Sequence, residues 1–335
     1  MKLLVTGGAG FIGSHFVRTA LRERDWSIRN FDALTYAGNL ENLRDIENNP
    51  RYEFVRGDIC DARAVAAALE GVDAIAHFAA ETHVDRSILG ARDFITTNVQ
   101  GTYEILEAAK ARNLRVLHMS TDEVYGSVPA PRFTSESDPF EPSSPYSASK
   151  AAGDHLALAF FRTHKLPVVV ARPANNYGPF QFPEKLLPLS ITRVFGGKKI
   201  PVYGDGKQVR DWLHVEDCCR ALVAILERGR DGEAYNIPGG NMRTNVEVLS
   251  AVLKATGGDA ALLEHVSDRP GHDRRYALDG AKIARDLNWR PARTVETEMP
   301  IVVAWYRENE AWWKRVMSGE YRAYHEQNYG WRKKA

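Results

Sequence analysis

The feature that most constrains the fold is a glycine-rich turn close to the N-terminus. Residues 2–6 form a strand-like apolar run, residues 7–13 read Gly-Gly-Ala-Gly-Phe-Ile-Gly, and an apolar-periodic helix is predicted over about 12–23. Glycine permits a tight turn and a close approach of backbone to ligand. The amides that begin the following helix carry partial positive charge, which favours an anion. This context predicts a pyrophosphate site, whereas a glycine cluster alone is also compatible with a simple tight loop.

Strand-like and helix-like segments alternate through the first half of the chain. Strands are predicted at Lys2–Thr6, Ser27–Phe31, Tyr52–Arg56, Ala74–Phe78, Val116–Ser120 and Val168–Arg172. Helices are predicted at about 12–23, 62–70, 92–112 and 146–164. Such alternation implies a parallel sheet covered on both faces, and right-handed connections make it doubly wound. The predicted fold class is therefore α/β, with a doubly wound parallel sheet of the Rossmann type.

The alternation weakens after Arg172, where Pro, Gly and mixed charges dominate residues 173–214. Helices near 215–228 and 245–256 and a short strand at 234–237 follow. We expect a Rossmann domain over 1–172, to which 215–240 returns, and a smaller α/β substrate-binding lobe from 173–214 and 241–335. The tryptophans of the tail are expected to pack in a core rather than to form a ligand cage; they are Trp305, Trp312, Trp313 and Trp331.

Composition limits the partners. With 44% apolar residues, 26% charged residues and a formal net charge of +1, bulk attraction to nucleic acid or membranes is not expected. Three cysteines without metal-ligand spacing argue against a disulfide framework and against a metal site. The apolar runs are too short for a membrane span, and Met1 leads directly into the first strand. We expect a cytoplasmic protein.

An acidic residue at the end of the second predicted strand indicates the cofactor. Asp32 lies nineteen positions after Gly13 and is followed by Ala33 and Leu34 rather than by arginine. A carboxylate there accepts the hydroxyls of the adenosine ribose and repels a 2′-phosphate. The sequence thus favours NAD over NADP. Asp58, after the third strand, is a candidate adenine contact, with a solvated loop acid as the alternative.

Tyr146 and Lys150 lie four residues apart at the start of a predicted helix, so their side chains share one face, roughly 5–6 Å apart at Cβ. A neighbouring ammonium favours the phenolate and lowers the tyrosine pKa toward working pH. Tyr146 is then a candidate base for a substrate hydroxyl that is being oxidised. An exposed pair on a helix remains the alternative when the spacing is considered alone.

The glycine turn together with the Tyr-x-x-x-Lys spacing resembles the extended short-chain dehydrogenase/reductase superfamily over nearly the whole chain. The resemblance implies that Asn98 and either Ser120 or Thr121 complete the site. It also implies a homodimer formed through the helices at about 92–112 and 146–164. The cofactor-binding residues expected on this basis are Gly7, Gly10, Phe11, Ile12, Gly13, Asp32, Asp58, Ile59, Ala79, Ala80, Asn98, Tyr146 and Lys150.

Asp122 and Glu123, after Thr121 at the end of a central strand, point to a further step. In an extended strand they would face opposite ways, so we predict a turn or short helix that directs both toward one substrate. Once C4 of a hexose is a ketone, a carboxylate such as Glu123 can remove the acidic C5 hydrogen. A neutral Asp122 can protonate the leaving C6 hydroxyl. Two adjacent carboxyls split their pKa values, which separates an acid from a base.

The set Thr121, Asp122, Glu123, Tyr146 and Lys150 resembles that of the dTDP-glucose 4,6-dehydratases. Further similarity lies in residues 80–87, 172–179, 182–186, 208–212 and 268–273, with Thr82 where the family often has Ser. The resemblance implies dTDP-glucose as substrate. The substrate-binding residues expected on this basis are Glu81, Thr82, His83, Asn175, Lys185, Leu186, Pro201, Tyr203, Arg210, Asn245, Arg269 and His272.

Some alternatives stay open for individual residues. A structural role is an alternative for His83, and the surroundings of Asn245 differ somewhat from common members. Surface ion pairs are the alternative for Arg210 and Arg269.

Three kinds of function are compatible with these features. A 4,6-dehydratase uses every feature above. Another nucleotide-sugar 4,6-dehydratase, an epimerase or a decarboxylase would share the cofactor turn and the tyrosine–lysine pair, but epimerases have no need of the two adjacent acids. A GDP-mannose dehydratase commonly takes NADP, which Asp32 opposes. A catalytically inactive NAD-binding regulator would be expected to lack Tyr146 or Lys150, and both are present.

Overall fold

The computed structural model describes residues 1–318. The strands are β1 (Lys2–Thr6), β2 (Ser27–Asp32), β3 (Tyr52–Arg56), β4 (Ala74–His77), β5 (Arg115–Met119), β6 (Val168–Pro173), β7 (Asn175–Tyr177), β8 (Ile200–Tyr203), β9 (Val209–His214), β10 (Ala234–Ile237), β11 (Met242–Thr244) and β12 (Leu263–Val266). The helices are α1 (Phe11–Glu23), α2 (Ala62–Ala68), α3 (Val84–Leu89), α4 (Arg92–Ile95), α5 (Thr102–Arg112), α6 (Pro145–His164), α7 (Leu186–Phe195), α8 (Val215–Arg228), α9 (Asn245–Thr256), α10 (Ala281–Leu287), α11 (Val295–Glu308) and α12 (Glu310–Ser318).

A seven-stranded parallel sheet forms the larger part of the fold. Its strand order is β10-β6-β5-β4-β1-β2-β3, so the order reverses between β1 and β4. The central strands are rich in Val, Ile, Leu and Ala because helices cover both faces and most of their residues are buried, whereas the edge strand β3 is only partly buried. The predicted Rossmann-type α/β fold is confirmed. Ligands bind such sheets at the carboxyl ends of the strands, near the point of reversal.

The predicted strands of this sheet agree with the structure to within one residue at either end. The predicted helix at about 92–112 is instead divided into α4, a π-helical segment at Thr96–Gly101, and α5. A π-helical turn accommodates an extra residue, which the apolar pattern does not reveal, and such turns are frequent at functional sites. The segment carries Asn98, whose side chain is buried.

A smaller lobe lies beside the large sheet. It contains the three-stranded sheet β11-β9-β7, the parallel pair β12-β8, and the helices α7, α9 and α11 around a separate apolar cluster. The short strands β7, β8, β9, β11 and β12 and the helix α7 were not predicted. Within the described residues, β10 pairs with β6 and α8 packs on α1, so this part of the chain lies with the large sheet. The predicted domain ending at 335 extends beyond the described residues.

The predicted packing role of the tail tryptophans holds for those that the structure describes. Trp312 and Trp313 are buried in the apolar cluster of the smaller lobe, and Trp305 packs against it. Trp331 lies outside the described residues. Within residues 1–318, no helix is both long enough and apolar enough to cross a membrane.

A buried ion pair joins the helix α6 to the strand β6. Arg172 Nε donates to Asp154 Oδ2 at 2.7 Å, and both side chains are almost completely inaccessible to water. Although burial opposes ionisation of the carboxyl, the Arg172 guanidinium and His118 lower the pKa of Asp154 to about 2. The pair is therefore ionised at working pH.

Replacing Asp154 by Asn is expected to lower the free energy of unfolding by about 3–5 kcal/mol, because it leaves the buried Arg172 charge uncompensated. Urea denaturation followed by circular dichroism measures this change. Glu296→Gln breaks the exposed pair with Arg243 and should leave the free energy of unfolding nearly unchanged. Equal effects of the two substitutions would contradict the role given to burial.

Candidate active site

A deep cleft lies at the carboxyl ends of β1, β2, β4, β5 and β6. It encloses about 1690 Å³ of space, including the part open to solvent. Residues that follow each of these strands line it, among them Gly7, Asp32, Ala79, Thr121 and Asn175. This is the position in which a doubly wound sheet binds a dinucleotide.

Two glycines of the first turn have no room for a side chain. Gly7 has φ +71°, and a Cβ atom there would lie 2.6 Å from the backbone nitrogen of Ala79. At Gly13, in the first turn of α1, a Cβ atom would lie 2.2 Å from the carbonyl oxygen of Gly7. The turn therefore brings bare backbone and the N-terminal amides of α1 to the wall of the cleft, as pyrophosphate binding requires.

Asp32 ends β2 at the floor of the same cleft. One carboxylate oxygen accepts from the Ala9 amide at 2.9 Å and the other from the Leu34 amide at 2.8 Å. Each oxygen keeps a further lone pair for a ligand hydroxyl. The amides fix the carboxylate beside the glycine turn, so the residues present fit the adenosine ribose and pyrophosphate of NAD.

Gly13→Ala is expected to weaken NAD binding about tenfold or more, because the new methyl group must displace backbone of the turn. The NAD content of the purified protein and titration with NAD measure the change. Gly90→Ala is the matched control, since a Cβ atom there meets nothing within 4 Å. Wild-type NAD content in the Gly13 variant would refute the assigned position of the pyrophosphate.

The predicted cofactor residues, with one exception, line the cleft. Those that do are Gly7, Gly10, Phe11, Ile12, Gly13, Asp32, Asp58, Ile59, Ala79, Ala80, Tyr146 and Lys150. Asn98 does not. Its Nδ2 donates to the Glu81 carbonyl at 3.0 Å and to Ser149 at 2.8 Å, and its Oδ1 accepts from the Glu81 amide at 2.8 Å. Asn98 therefore positions the segment of Glu81 rather than facing the cleft, because the π-helical turn directs it beneath the surface.

Tyr146 and Lys150 both line the cleft from the first turns of α6, and both are buried. Lys150 Nζ donates to the Met119 carbonyl at 2.6 Å, and burial lowers its pKa to about 8. The direction expected for Tyr146 is not observed: burial and the nearby Glu123 carboxylate raise its pKa well above the usual range. The phenol therefore keeps its proton until positive charge lies against it.

Asp122 and Glu123 lie in a short 3₁₀ helix, Asp122–Tyr125, directly after β5. This confirms the predicted turn. Thr121 caps it, since its hydroxyl accepts from the Glu123 amide at 3.3 Å and contacts Asp122 Oδ1 at 3.2 Å. All three side chains line the cleft.

The two carboxyls differ in their surroundings. Asp122 is buried, and among the described residues its Oδ2 has no hydrogen-bond partner. Burial and the charge of Glu123 raise the pKa of Asp122 well above the usual range, which favours the protonated form of this carboxyl. Burial also raises the pKa of Glu123, but Arg269, Arg210 and Lys185 oppose the shift. Cations thus oppose the rise in the pKa of Glu123, whereas the neighbouring negative charge adds to that of Asp122, so Asp122 is the better suited of the two to hold a proton.

The residues expected to bind substrate fall into two groups. Glu81, Thr82, Asn175 and Lys185 line the cleft, whereas His83, Leu186, Pro201, Tyr203, Arg210, Asn245, Arg269 and His272 do not. His83 caps α3 through Nδ1, which accepts from the Arg86 backbone amide at 3.3 Å. This contact agrees with the structural role that the sequence left open as an alternative for His83.

Leu186 packs in the core of the smaller lobe. Asn245 begins α9, and its Nδ2 lies 3.4 Å from Gln208 Oε1.

A polar group in the smaller lobe adjoins the cleft. Arg269 donates to Asp85 at 3.2 Å, and the Tyr203 hydroxyl donates to the same carboxylate at 3.0 Å. His272 contacts Asp268 at 2.6 Å. Arg210 stacks on the Tyr276 ring, with 4.1 Å between the guanidinium carbon and the ring centre. The predicted arginines are therefore set in ordered contacts next to Glu123 rather than in loose surface pairs.

Tyr276 was missed by the sequence reasoning. Its hydroxyl lies 3.5 Å from Glu123 Oε2 and donates to Asp273 Oδ2 at 2.7 Å. Tyr276 also supports Arg210 through ring stacking. It lies 153 residues after Glu123 outside any recognisable motif, so no local pattern signals the contact.

The site defines a nucleotide-sugar enzyme of the extended short-chain dehydrogenase/reductase class. It combines a dinucleotide turn, a buried tyrosine–lysine pair and a cluster of cations beside the cleft. A family model described as GDP-mannose 4,6 dehydratase matches residues 4–300. A dTDP-glucose 4,6-dehydratase of Streptomyces niveus is 52% identical over 95% of this chain and 96% of its own. One from Escherichia coli is 49% identical over 96% of this chain and 98% of its own.

Solved structures similar to this chain also include dTDP-glucose 4,6-dehydratases. The crystal structure of a dTDP-glucose 4,6-dehydratase from Streptomyces venezuelae, with NAD and TYD bound, has a TM-score of 0.93 at 50% identity. The match covers 94% of this chain and 100% of that one. The chain therefore belongs to the GDP-mannose 4,6-dehydratase family and, within it, to the dTDP-glucose 4,6-dehydratases, which are NAD-dependent hydro-lyases.

Proposed function

We propose that this protein removes water from dTDP-glucose to give dTDP-4-keto-6-deoxy-glucose through the residues of the cleft. The observation that carries the proposal is the placement of Asp122 and Glu123 side by side in the same cleft as Tyr146 and Lys150. Burial and the charge of Glu123 raise the pKa of Asp122, which favours its neutral form. An epimerase needs oxidation at C4 but no acid for a leaving hydroxyl. The pair of carboxyls therefore favours dehydration over the alternative reactions of the superfamily.

Oxidation at C4 depends on Tyr146. NAD, when bound in the cleft, supplies the oxidation at C4 and the later reduction at C6. For the Tyr146 oxygen to take the proton of the C4 hydroxyl, its raised pKa must fall, and the positive charges of Lys150, on the same helix, and of the oxidised nicotinamide act in that direction. Thr121 holds the C4 oxygen with its hydroxyl.

Elimination depends on the two acids. The C4 ketone makes the C5 hydrogen acidic, and the Glu123 carboxylate removes it. Asp122 donates its proton to the C6 hydroxyl, which leaves as water while a C5–C6 double bond forms. Glu123 then holds the proton that returns to C5 when C6 is reduced. Acid and base thus come from adjacent carboxyls whose pKa values burial and neighbouring charges separate.

The nucleotide diphosphate is assigned to the cation cluster beside the cleft. Arg210, Arg269 and Lys185 lie close enough to Glu123 to oppose the rise of its pKa. Guanidinium groups bind phosphate oxygens in pairs, and a buried ammonium adds a point charge. The hexose then lies between this cluster and the tyrosine of α6, next to Glu81 and Thr82.

The test follows deuterium within the sugar. dTDP-glucose deuterated at C4 is incubated with the protein, and the product is analysed by NMR. We expect a 4-keto-6-deoxy sugar with the label at C6 of the same molecule. An unchanged or merely epimerised sugar would overturn the proposal.

The pH dependence of kcat/KM should show the titration of Lys150. Its pKa is lowered to about 8, so the ammonium is charged below that pH and neutral above it. Because the charge favours the active form of Tyr146, kcat/KM is expected to fall as pH rises through about 8.

Lys150→Arg is the matched variant, since its guanidinium stays charged in this range. In this variant, the remaining kcat/KM should no longer fall as pH rises through about 8. An unchanged profile in Lys150→Arg would show that another group titrates.

We also infer a homodimer, as the superfamily resemblance implies. Support comes from exposed apolar side chains on consecutive helices: the exposed fraction is 89% for Leu89, 52% for Ile95 and 43% for Tyr103. Sedimentation equilibrium distinguishes a dimer from a monomer. The cytoplasmic location expected from the sequence stays a prediction that fractionation of the producing cells would test.

A further inference from the structure

The helix α12, the last one in the described part of the chain, reaches the cofactor end of the cleft. Trp312 and Val316 line the cleft together with Asn39 and Asn42, which lie just beyond Asp32. Trp312 is buried, and its indole Nε1 donates to Asn42 Oδ1 at 3.0 Å. These contacts join parts of the chain 270 residues apart at the site where the adenosine half of NAD is expected.

Asn42 passes this contact on to the glycine turn. Its Nδ2 donates to the Ala9 carbonyl at 2.9 Å. An indole can only donate, so Asn42 must present its oxygen to Trp312 and its amide to Ala9. The Ala9 carbonyl also accepts from the Asn39 amide at 3.0 Å, and the Ala9 amide donates to Asp32. Ala9, inside the pyrophosphate turn, is thereby fixed on both sides.

A second contact links α12 to the segment that contains Asn42. Arg315 pairs with Glu41, the neighbour of Asn42, with Nε donating to Oε1 at 3.0 Å. The short helical turn Leu40–Leu43 carries both Glu41 and Asn42. One helix thus holds two consecutive side chains of the segment that closes the cleft next to Asp32.

We propose that Trp312 is a positioning residue for cofactor retention: through Asn42 it holds the glycine turn and slows the dissociation of NAD. A reaction that returns its own reducing equivalent needs no exchange of cofactor between turnovers, so retention suits the proposed function. The proposal itself rests on the NAD site alone.

The test compares two neighbouring tryptophans. Trp312→Phe keeps an aromatic ring in the cluster but removes the donor to Asn42. Trp313→Phe is the matched control, because Trp313 is equally buried and its Nε1 donates to the Tyr306 carbonyl at 2.8 Å, away from the cleft. The readout is the rate at which protein loaded with isotopically labelled NAD loses the label into excess unlabelled NAD.

We expect Trp312→Phe to release NAD about tenfold faster, since a buried acceptor loses its donor. Trp313→Phe should release NAD at the wild-type rate. Melting temperatures of both variants are measured in parallel. Equal release by the two variants, or release that only follows a shared fall in melting temperature, would overturn the proposal.

Asn42→Ala gives an independent check. If Trp312 acts through Asn42, the double variant should release NAD no faster than the faster of the two single variants. Additive effects would show that Trp312 acts only as a wall of the cleft, and would overturn the proposal in this form. No sugar is present in these measurements, so their failure is separate from any failure of dehydration.

Discussion

Glu123→Gln is expected to stop the reaction after oxidation at C4, with a loss in product formation of about 10²–10⁴-fold. The amide has nearly the size of the carboxylate but cannot take the C5 proton. Because Tyr146 and Lys150 are unchanged, reduced cofactor should still form and should accumulate. Exchange of the C5 hydrogen in deuterated water, followed by NMR, should fall with product formation.

The matched control for this result is Glu184→Gln, the same substitution at another residue that lines the cleft. Glu184 pairs with Arg86 and takes no part in the proposed elimination. It should retain C5 exchange. If reduced cofactor does not accumulate in Glu123→Gln, the residue does more than act as the elimination base, and its charge is needed for the first step as well.

Tyr146→Phe is expected to abolish the first step instead, again by about 10²–10⁴-fold. The ring keeps its edge-on packing against Phe94, so the fold of α6 should persist. Without the hydroxyl, the group to which we assign the proton of the C4 hydroxyl is missing. Neither reduced cofactor nor C5 exchange should be detectable on mixing with substrate.

The NAD content of the Tyr146 variant is the control, since loss of cofactor would also prevent both the formation of reduced cofactor and the exchange of the C5 hydrogen. Near-normal turnover with full NAD content would refute the assigned role. Taken together, the Glu123 and Tyr146 variants separate oxidation from elimination, because one should accumulate reduced cofactor and the other should not.

The larger sheet was predictable because most of its strands are buried on both faces. Each appears as a compact apolar run, and helical periodicity separates one from the next. The turn at Asp122 and Glu123 was also predictable, since two acids in an extended strand cannot face one substrate. Both predictions depend on local pattern or on the demands of the chemistry.

The smaller lobe was less accessible to the same reasoning. Strands such as β7 and β11 contain three residues each, too few for an alternation to be recognised. Their pairings with β9 depend on contacts between distant parts of the chain. The same holds for the approach of the Tyr276 hydroxyl to Glu123 Oε2 and for the hydrogen bond from Trp312 to Asn42.

The pKa of Tyr146 shows a different limit. The spacing to Lys150 suggested a lowered pKa, whereas burial and Glu123 raise it. The burial of Tyr146 cannot be inferred from a four-residue spacing. Glu123 lies in a different element, the short helix after β5, so its effect on the pKa of Tyr146 cannot be inferred from that spacing either. The position of Asn98 was inaccessible for a related reason, since the π-helical turn that directs it to Glu81 leaves no mark in the apolar pattern.

The position of β10 has a consequence for how the protein is made. β10 completes the large sheet beside β6, and α8 covers α1, yet both follow the segment that builds part of the smaller lobe. A ribosome therefore delivers six strands of the sheet well before the seventh. Until β10 emerges, the strand β6, which is fully buried in the finished protein, forms the edge of the sheet. Before α8 emerges, one face of α1 is uncovered as well. Both features promote aggregation. An mRNA truncated between codons 174 and 233 should thus yield an insoluble fragment rather than an independently folded NAD-binding domain.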